Sequence, residues 1–209
     1  MPIKRSLLAA LTTLAFTATS SGLALPMARS ALLIEGNFAG ETLRIVVDTS
    51  VDKADVTVGN DRHWIDLSAG EAHRVEADGT ISAEALAADE QSPAPEIKPW
   101  GPGPTVAGHA TVYHVMTLGD QICGELLVST WMKPFVDPAV RALAILERIK
   151  GESEIKKTGL DGACGDLPFS SYALAGWPLM VGGIDQPIFK TEMISFDYEP
   201  NGDELSWSN

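Results

Sequence analysis

Four histidines, two cysteines and a surplus of carboxylates are the residues of this 209-residue chain with the intrinsic chemistry for catalysis or metal binding. Their spacing assembles none of the common sites. His109 and His114 are five apart on a predicted strand, so their side chains leave opposite faces and cannot hold one ion together. His63 and His73 fall on neighbouring predicted strands and are the one pair within reach of each other. Gly-x-Ser-x-Gly is absent, and Ser170-Ser171, after Leu167-Pro168-Phe169, has no base pattern beside it. The 28 acidic residues show no pair set apart for acid–base work. Gly101-Pro102-Gly103 puts proline where a phosphate cradle needs backbone N–H donors. No catalytic residue, no metal site and no cofactor is therefore assigned.

Cys123 and Cys164 carry chemistry of another kind, and its meaning depends on compartment. Lys4 and Arg5 precede an uncharged, mostly apolar run from Ser6 to Ala18, and Gly22-Leu23-Ala24 offers small residues for a signal peptidase. Residues 1–24 read as a secretory signal peptide. The alternative, a membrane anchor, needs about 20 apolar residues, and this run is shorter and diluted by Thr and Ser. Export to a periplasm, or beyond the cell, places both cysteines under oxidising conditions, where a disulfide is expected; two free buried thiols are the alternative. No later stretch is apolar and long enough to span a bilayer as a helix.

One further set is defined by position. Trp100, Trp131, Met132, Phe135 and Trp177 all fall at element ends or in connectors. They read either as rim and core packing or as the lining of an apolar concavity between a sheet and a covering helix, where a lipid or other apolar small molecule would bind.

The elements that would position these residues are mostly strands. Ala31–Glu35, Thr42–Asp48, Asp55–Val58, Arg62–Leu67 and Ala72–Ala77 are short β-segments separated by Gly, Asn and Asp turns, as in an antiparallel meander. Ile81–Glu90, rich in Ala and Glu, reads as a short helix. The five prolines of 91–104 predict an extended connector without regular structure. Thr105–Thr117 and Gln121–Trp131 are the next strands. Asp137-Pro138 then signals the start of a helix over about 138–150, with Gly151 at its C-cap. Trp177–Gly182 and Phe189–Tyr198 complete the strands, the last with Ile194, Phe196 and Tyr198 on one face. Glu199–Asn209 reads as a loose tail. The fold class is mainly β: a curved antiparallel sheet or half-barrel with one covering helix, in a single domain over 31–198.

Removing the signal leaves about 185 residues, enough for one domain that buries roughly 70% of its surface. The net charge of −13 becomes −15 when Lys4 and Arg5 leave. Such a surface repels phosphate backbones and anionic membranes, and the densest basic cluster, Lys156-Lys157, lies beside Glu152 and Glu154. Nucleic acid is excluded as a partner, and no protein partner is identifiable.

Val106-Ala107-Gly108-His109-Ala110-Thr111-Val112-Tyr113-His114-Val115 and Gly124-Glu125-Leu126-Leu127-Val128-Ser129 resemble the paired strands of a bacterial exported family of unknown function. Gly176-Trp177-Pro178-Leu179-Met180-Val181 and Thr191-Glu192-Met193-Ile194-Ser195-Phe196 are similar to its ending. Its members resemble the LolA-like lipoprotein carriers, half-barrels whose concave face is covered by helices. The resemblance implies binding of a lipid-like ligand and transfers no site residue. Three functions follow in order: an exported apolar-ligand binder, an envelope interaction or structural protein without a ligand cavity, and an enzyme without a recognisable motif.

Overall fold

The computed structural model describes residues 31–87, 94–149, 164, 167–182, 187–201 and 204–205. The signal segment 1–24 and the Gly151 cap lie outside them. Among the described residues the strands are β1 (Ala31–Phe38), β2 (Glu41–Asp48), β3 (Lys53–Val58), β4 (Asp61–Asp66), β5 (Glu71–Val75), β6 (Ile81–Ala83), β7 (Glu96–Pro102), β8 (Val112–Leu118), β9 (Gln121–Ser129), β10 (Trp177–Gly182) and β11 (Pro187–Tyr198), with one α-helix, α1 (Lys133–Leu146).

All the strands join one 11-stranded sheet in the order β6-β5-β4-β3-β2-β1-β11-β10-β9-β8-β7. Every neighbouring pair is antiparallel. Two local meanders, β1–β6 and β7–β11, are thus joined at a seam between the first strand and the last. The sheet does not close, because β6 and β7 are opposite edges. It curves strongly: α1 leaves the end of β9 and packs on β2, β3, β4 and β5, on the far side of the seam.

Tight turns explain the first meander. Gly40, Gly59 and Gly70 take left-handed backbone between its consecutive strands, where a side chain would be strained, and Gly119 does the same between β8 and β9 of the second. Alternation then sorts the faces. Leu32, Ile34, Leu43, Ile45, Val47, Ala54, Val56, Val58 and Ile65 line the concave face and share one core with α1.

The helix begins at Lys133, five residues before the position the sequence signals. A 3-10 turn, Thr130–Met132, runs directly into it, Pro134 occupies its first turn, and Pro138 lies inside. Pro at the first turn costs nothing, since that N–H has no intrahelical partner. Asp137-Pro138 presents the same local signal one turn later and imitates a start. Val136, Ala139, Ala142, Leu143 and Leu146 face the core at helical spacing. The helix ends at Leu146, short of Ile149, which bridges to Leu86 after β6.

Three other expectations are corrected. Ile81–Ala83 is an edge strand and Leu86 a bridge residue, so no helix starts at Ile81. Glu96–Pro102 is an edge strand despite its prolines. An edge strand pairs on one side only, so prolines that cannot donate are tolerated there, and the ladder slips between Pro99 and Gly101. The tail is docked at Glu204-Leu205: Leu205 is buried with Ala31, Leu33 and Val46 on the convex face. The Glu204 carboxylate binds Arg44 Nη1 at 2.7 Å and accepts from the Tyr198 hydroxyl at 2.9 Å.

Candidate functional site

Four rings meet where α1 enters the concave face. Trp131 lies 5.8 Å from His109, 6.0 Å from Phe135 and 5.9 Å from Phe196, and Phe135 lies 5.6 Å from Phe196, between ring centroids. The edge-on and tilted geometries are those that aromatic pairs favour. The rings come from three distant segments: the turn before β8, the 3-10 turn with the first turn of α1, and the last strand. Antiparallel register places them at one end of the sheet. Val112, at the start of β8, pairs with Val128 near the end of β9, and Ala31, at the start of β1, pairs with Tyr198 at the end of β11. Trp131 and Phe135 remain 50% and 53% exposed. This aromatic rim is an apolar surface presented to water.

The rim continues into the concave wall. Ile194, two residues before Phe196, pairs with Ile34, which pairs with Ile45, then Val56, then His63, then Arg74. Opposed residues of an antiparallel pair share a face, so this row runs from the rim side to the β4–β5 side. Ile34, Ile45 and Val56 are fully buried beneath the helical layer. Tyr198 leaves the row. A register shift between Ala31 and Leu33 turns it to the convex face beside Arg44, so the expected Ile194–Phe196–Tyr198 face is broken by a bulge.

The five aromatic and methionine candidates separate. Trp131 and Phe135 are in the rim. Met132 and Trp177 are core residues with no exposure, Trp177 donating its indole N–H to the Thr191 hydroxyl at 2.9 Å. Trp100 stands 77% exposed on the edge strand β7. His109 and Phe196 join the site without a marker in the sequence, because only tertiary register brings them to Trp131.

The histidines do not gather. His63 pairs with Arg74 and His73 with Trp64, so the two point to opposite faces of the sheet and do not meet. His114 Nδ1 lies 3.0 Å from the Val112 carbonyl. Among the described residues no three His, Cys, Asp or Glu side chains cluster as a metal site needs. His63 is unusual: it is only 9% exposed, and its Nδ1 finds no hydrogen-bond partner among the described residues. Burial is the main influence on it and pushes its pKa below the usual histidine value. Asp61 on the same face acts oppositely, while Arg74 reinforces the effect. Arg74 is ion-paired with Asp61 and lies 3.6 Å from Glu76.

Behind the helix the wall is pinned. Glu147, just past α1, accepts from the Ser170 N–H at 3.0 Å and its hydroxyl at 2.7 Å. Ser170 belongs to the 3-10 turn Phe169–Ala173, which packs on α1 and β10. Ser170 thereby serves as a structural donor. Arg141 donates to the Leu67 carbonyl at 2.7 Å. Cys123 and Cys164 form a disulfide, with Cα atoms 5.2 Å apart, that ties β9 to the segment following α1. No described helix is long and apolar enough to cross a membrane. The chain matches no protein-family model, no curated protein and no solved structure.

Proposed function

We propose that this chain is an exported, acidic binding protein that takes a lipid-like or other apolar ligand between its curved sheet and α1, admitted over the Trp131–Phe135–Phe196–His109 rim. The observation that carries the reading is the continuity of that exposed aromatic rim with the apolar concave wall through Phe196 and Ile194. Exposed apolar clusters are characteristic of surfaces that meet a partner or ligand. An open curved sheet with α1 on its concave face is in keeping with it, although the LolA-like carriers cover that face with several helices. Because Ile34, Ile45 and Val56 are fully covered, a ligand on this wall requires α1 to yield. Pro138, which removes one backbone bond within α1, favours a yielding point there.

The test uses protein recovered from the exported fraction of its own host. Native mass spectrometry and organic extraction are expected to find a bound apolar molecule, and an apolar fluorescent dye is expected to bind saturably. Trp131→Ser with Phe135→Ser should weaken dye binding at least tenfold, roughly 1.4 kcal/mol, while leaving the melting temperature nearly unchanged, since both rings are half exposed. Absence of both extractable ligand and dye binding refutes the reading.

The dense packing of the wall favours one second reading, an envelope interaction protein that uses the rim as a docking surface. It predicts a co-purifying protein lost in the same double variant, and no extractable ligand.

A further inference from the structure

We infer that His63, backed by Arg74, is the head-group site of the proposed ligand, so that the ligand is an amphiphile with a long apolar tail and a carboxyl head. This rests on the apolar-ligand reading above and adds to it the chemistry of the ligand's polar end.

His63 is the one polar member, flanked by Val56 and Arg74, of a row that is otherwise apolar from Ile194 to Val56. Four inter-strand steps separate Ile194 from His63, about 19 Å along the curved wall. A buried ring nitrogen without a partner is costly, and folded proteins rarely leave one so. A leucine would fill the same wall without that cost. Beyond His63 the face turns polar and open. Arg74 and Asp61 have side chains 43% and 40% exposed, and Ser82 of β6 stands opposite Arg74. The wall therefore has an apolar run, a hydrogen-bonding ring at its end, and a guanidinium behind the ring.

That sequence of surfaces suits a carboxyl head. Either tautomer of His63 offers a match: an Nδ1–H donates to a carboxylate, and a bare Nδ1 accepts from a protonated acid. Asp61 and Glu76 both flank Arg74 and would repel a bare anion, but Arg74 pairs with Asp61 through Nη2 and with Glu76 through Nε, which leaves donors of its five to share. A ligand without a polar head would leave the His63 nitrogen as it is and gain nothing from Arg74.

The test compares hexadecanoic acid, its methyl ester and hexadecane as competitors of a bound apolar dye, in wild-type protein, His63→Leu and Arg74→Gln. The acid is expected to compete roughly tenfold better than the ester, and both better than the hydrocarbon. His63→Leu should reduce the acid-to-ester ratio to below about twofold, keep dye binding, and fold at least as stably as wild type, because it removes an unpartnered polar group. Arg74→Gln should reduce the ratio partially. Equal competition by acid and ester in wild type, or a preference that survives His63→Leu, overturns the head-group assignment while leaving the apolar-ligand reading intact. Failure of the dye and all three competitors to bind overturns both.

Discussion

Gly36 is the residue on which the seam between the two meanders turns, and replacing it by alanine tests the whole architecture. A Cβ at this position would stand 2.5 Å from the Lys190 carbonyl oxygen and 3.2 Å from the Thr191 Cα. Ordinary contact begins near 3.4 Å, so the first shortfall is close to 1 Å, and the obstructing atoms are backbone that no rotamer change can move. Separating β1 from β11 by that amount stretches N–H···O bonds from about 2.9 Å to beyond their useful range. Two weakened ladder bonds at about 1 kcal/mol each, with about 1 kcal/mol of residual strain, give a loss near 3 kcal/mol. For a domain of this size that lowers the melting temperature by about 9 °C. Gly124 in β9 is the matched control: nothing lies within 4 Å of its added Cβ, and its backbone is not left-handed. Gly124→Ala is expected to be neutral or to stabilise by about 0.5 kcal/mol through the unfolded chain. Urea denaturation and calorimetry of both variants provide the assay. A loss under about 1 kcal/mol for Gly36→Ala, or equal effects at the two glycines, would refute the close approach at the seam.

Other perturbations address separate parts of the molecule. Removing the disulfide as Cys123→Ala with Cys164→Ala releases a loop of sequence separation 41 and should cost about 4 kcal/mol on the chain-entropy relation, read as the urea midpoint under non-reducing conditions; a shift worth less than about 1 kcal/mol would contradict a structural bridge. Leu205→Ala should cost about 2 kcal/mol and expose the tail to carboxypeptidase, because Leu205 closes the small convex cluster over Ala31, Leu33 and Val46; an unchanged digestion rate would place the tail off the sheet. Burial lowers the pKa of His63 in the folded state, so the unfolded chain binds a proton more readily than the folded one. Stability therefore rises with pH between the depressed folded value and about 6.5, by at most about 1.4 kcal/mol per unit from this residue, and is fully present above 6.5. His63→Leu should flatten that difference, and a pH profile parallel to wild type would show that burial does not lower the His63 pKa.

Most of the strand pattern was legible because punctuation in this chain is local. Gly59-Asn60, Ala69-Gly70 and Gly119-Asp120 mark turns by residue type, and the strands beside them fall within a few residues of the expected bounds, except that β8 starts at Val112 where Thr105 was expected. The misreadings each have a cause that is not local. Glu96–Pro102 pairs on one side only, which proline density cannot disclose. Asp137-Pro138 carries a sound start signal that the preceding 3-10 turn pre-empts by a turn of helix. Tyr198 looks coplanar with Ile194 until a bulge turns it outward. Leu205 and Trp207 are the two large apolar residues of a mostly polar tail, and the partners of Leu205 lie on β1 and β2. The candidate site was half visible: Trp131 and Phe135 could be singled out as large rings at an element boundary, whereas His109 and Phe196 belong with them only through the β8–β9 and β1–β11 registers. Met132 and Trp177 carry the same local signal and are core residues, because the turn into α1 and the bulge in β10 direct them inward.

The order in which these contacts can form gives the rim a particular dependence. The first meander closes by short hairpins, which cost little loop entropy, and in the second β9 meets β10 only across the segment that carries α1, whereas the β1–β11 seam joins residues more than 150 apart in sequence, such as Ile34 with Ile194. α1 likewise leaves the second meander and finds its floor on β2–β5 of the first. Phe196 reaches Trp131 and Phe135 only when β11 is in place, and the wall beyond it, Ile34 to His63, belongs to the first meander. The rim and the wall are therefore properties of the seam and of neither meander alone. A substitution that loosens the seam, as at Gly36, disconnects the two halves of the proposed binding surface before it unfolds either, whereas an equally costly change in β5 or β6 leaves the rim assembled. Binding and stability should separate along that line. This links the proposed function to the topology of the sheet as well as to the identity of four rings.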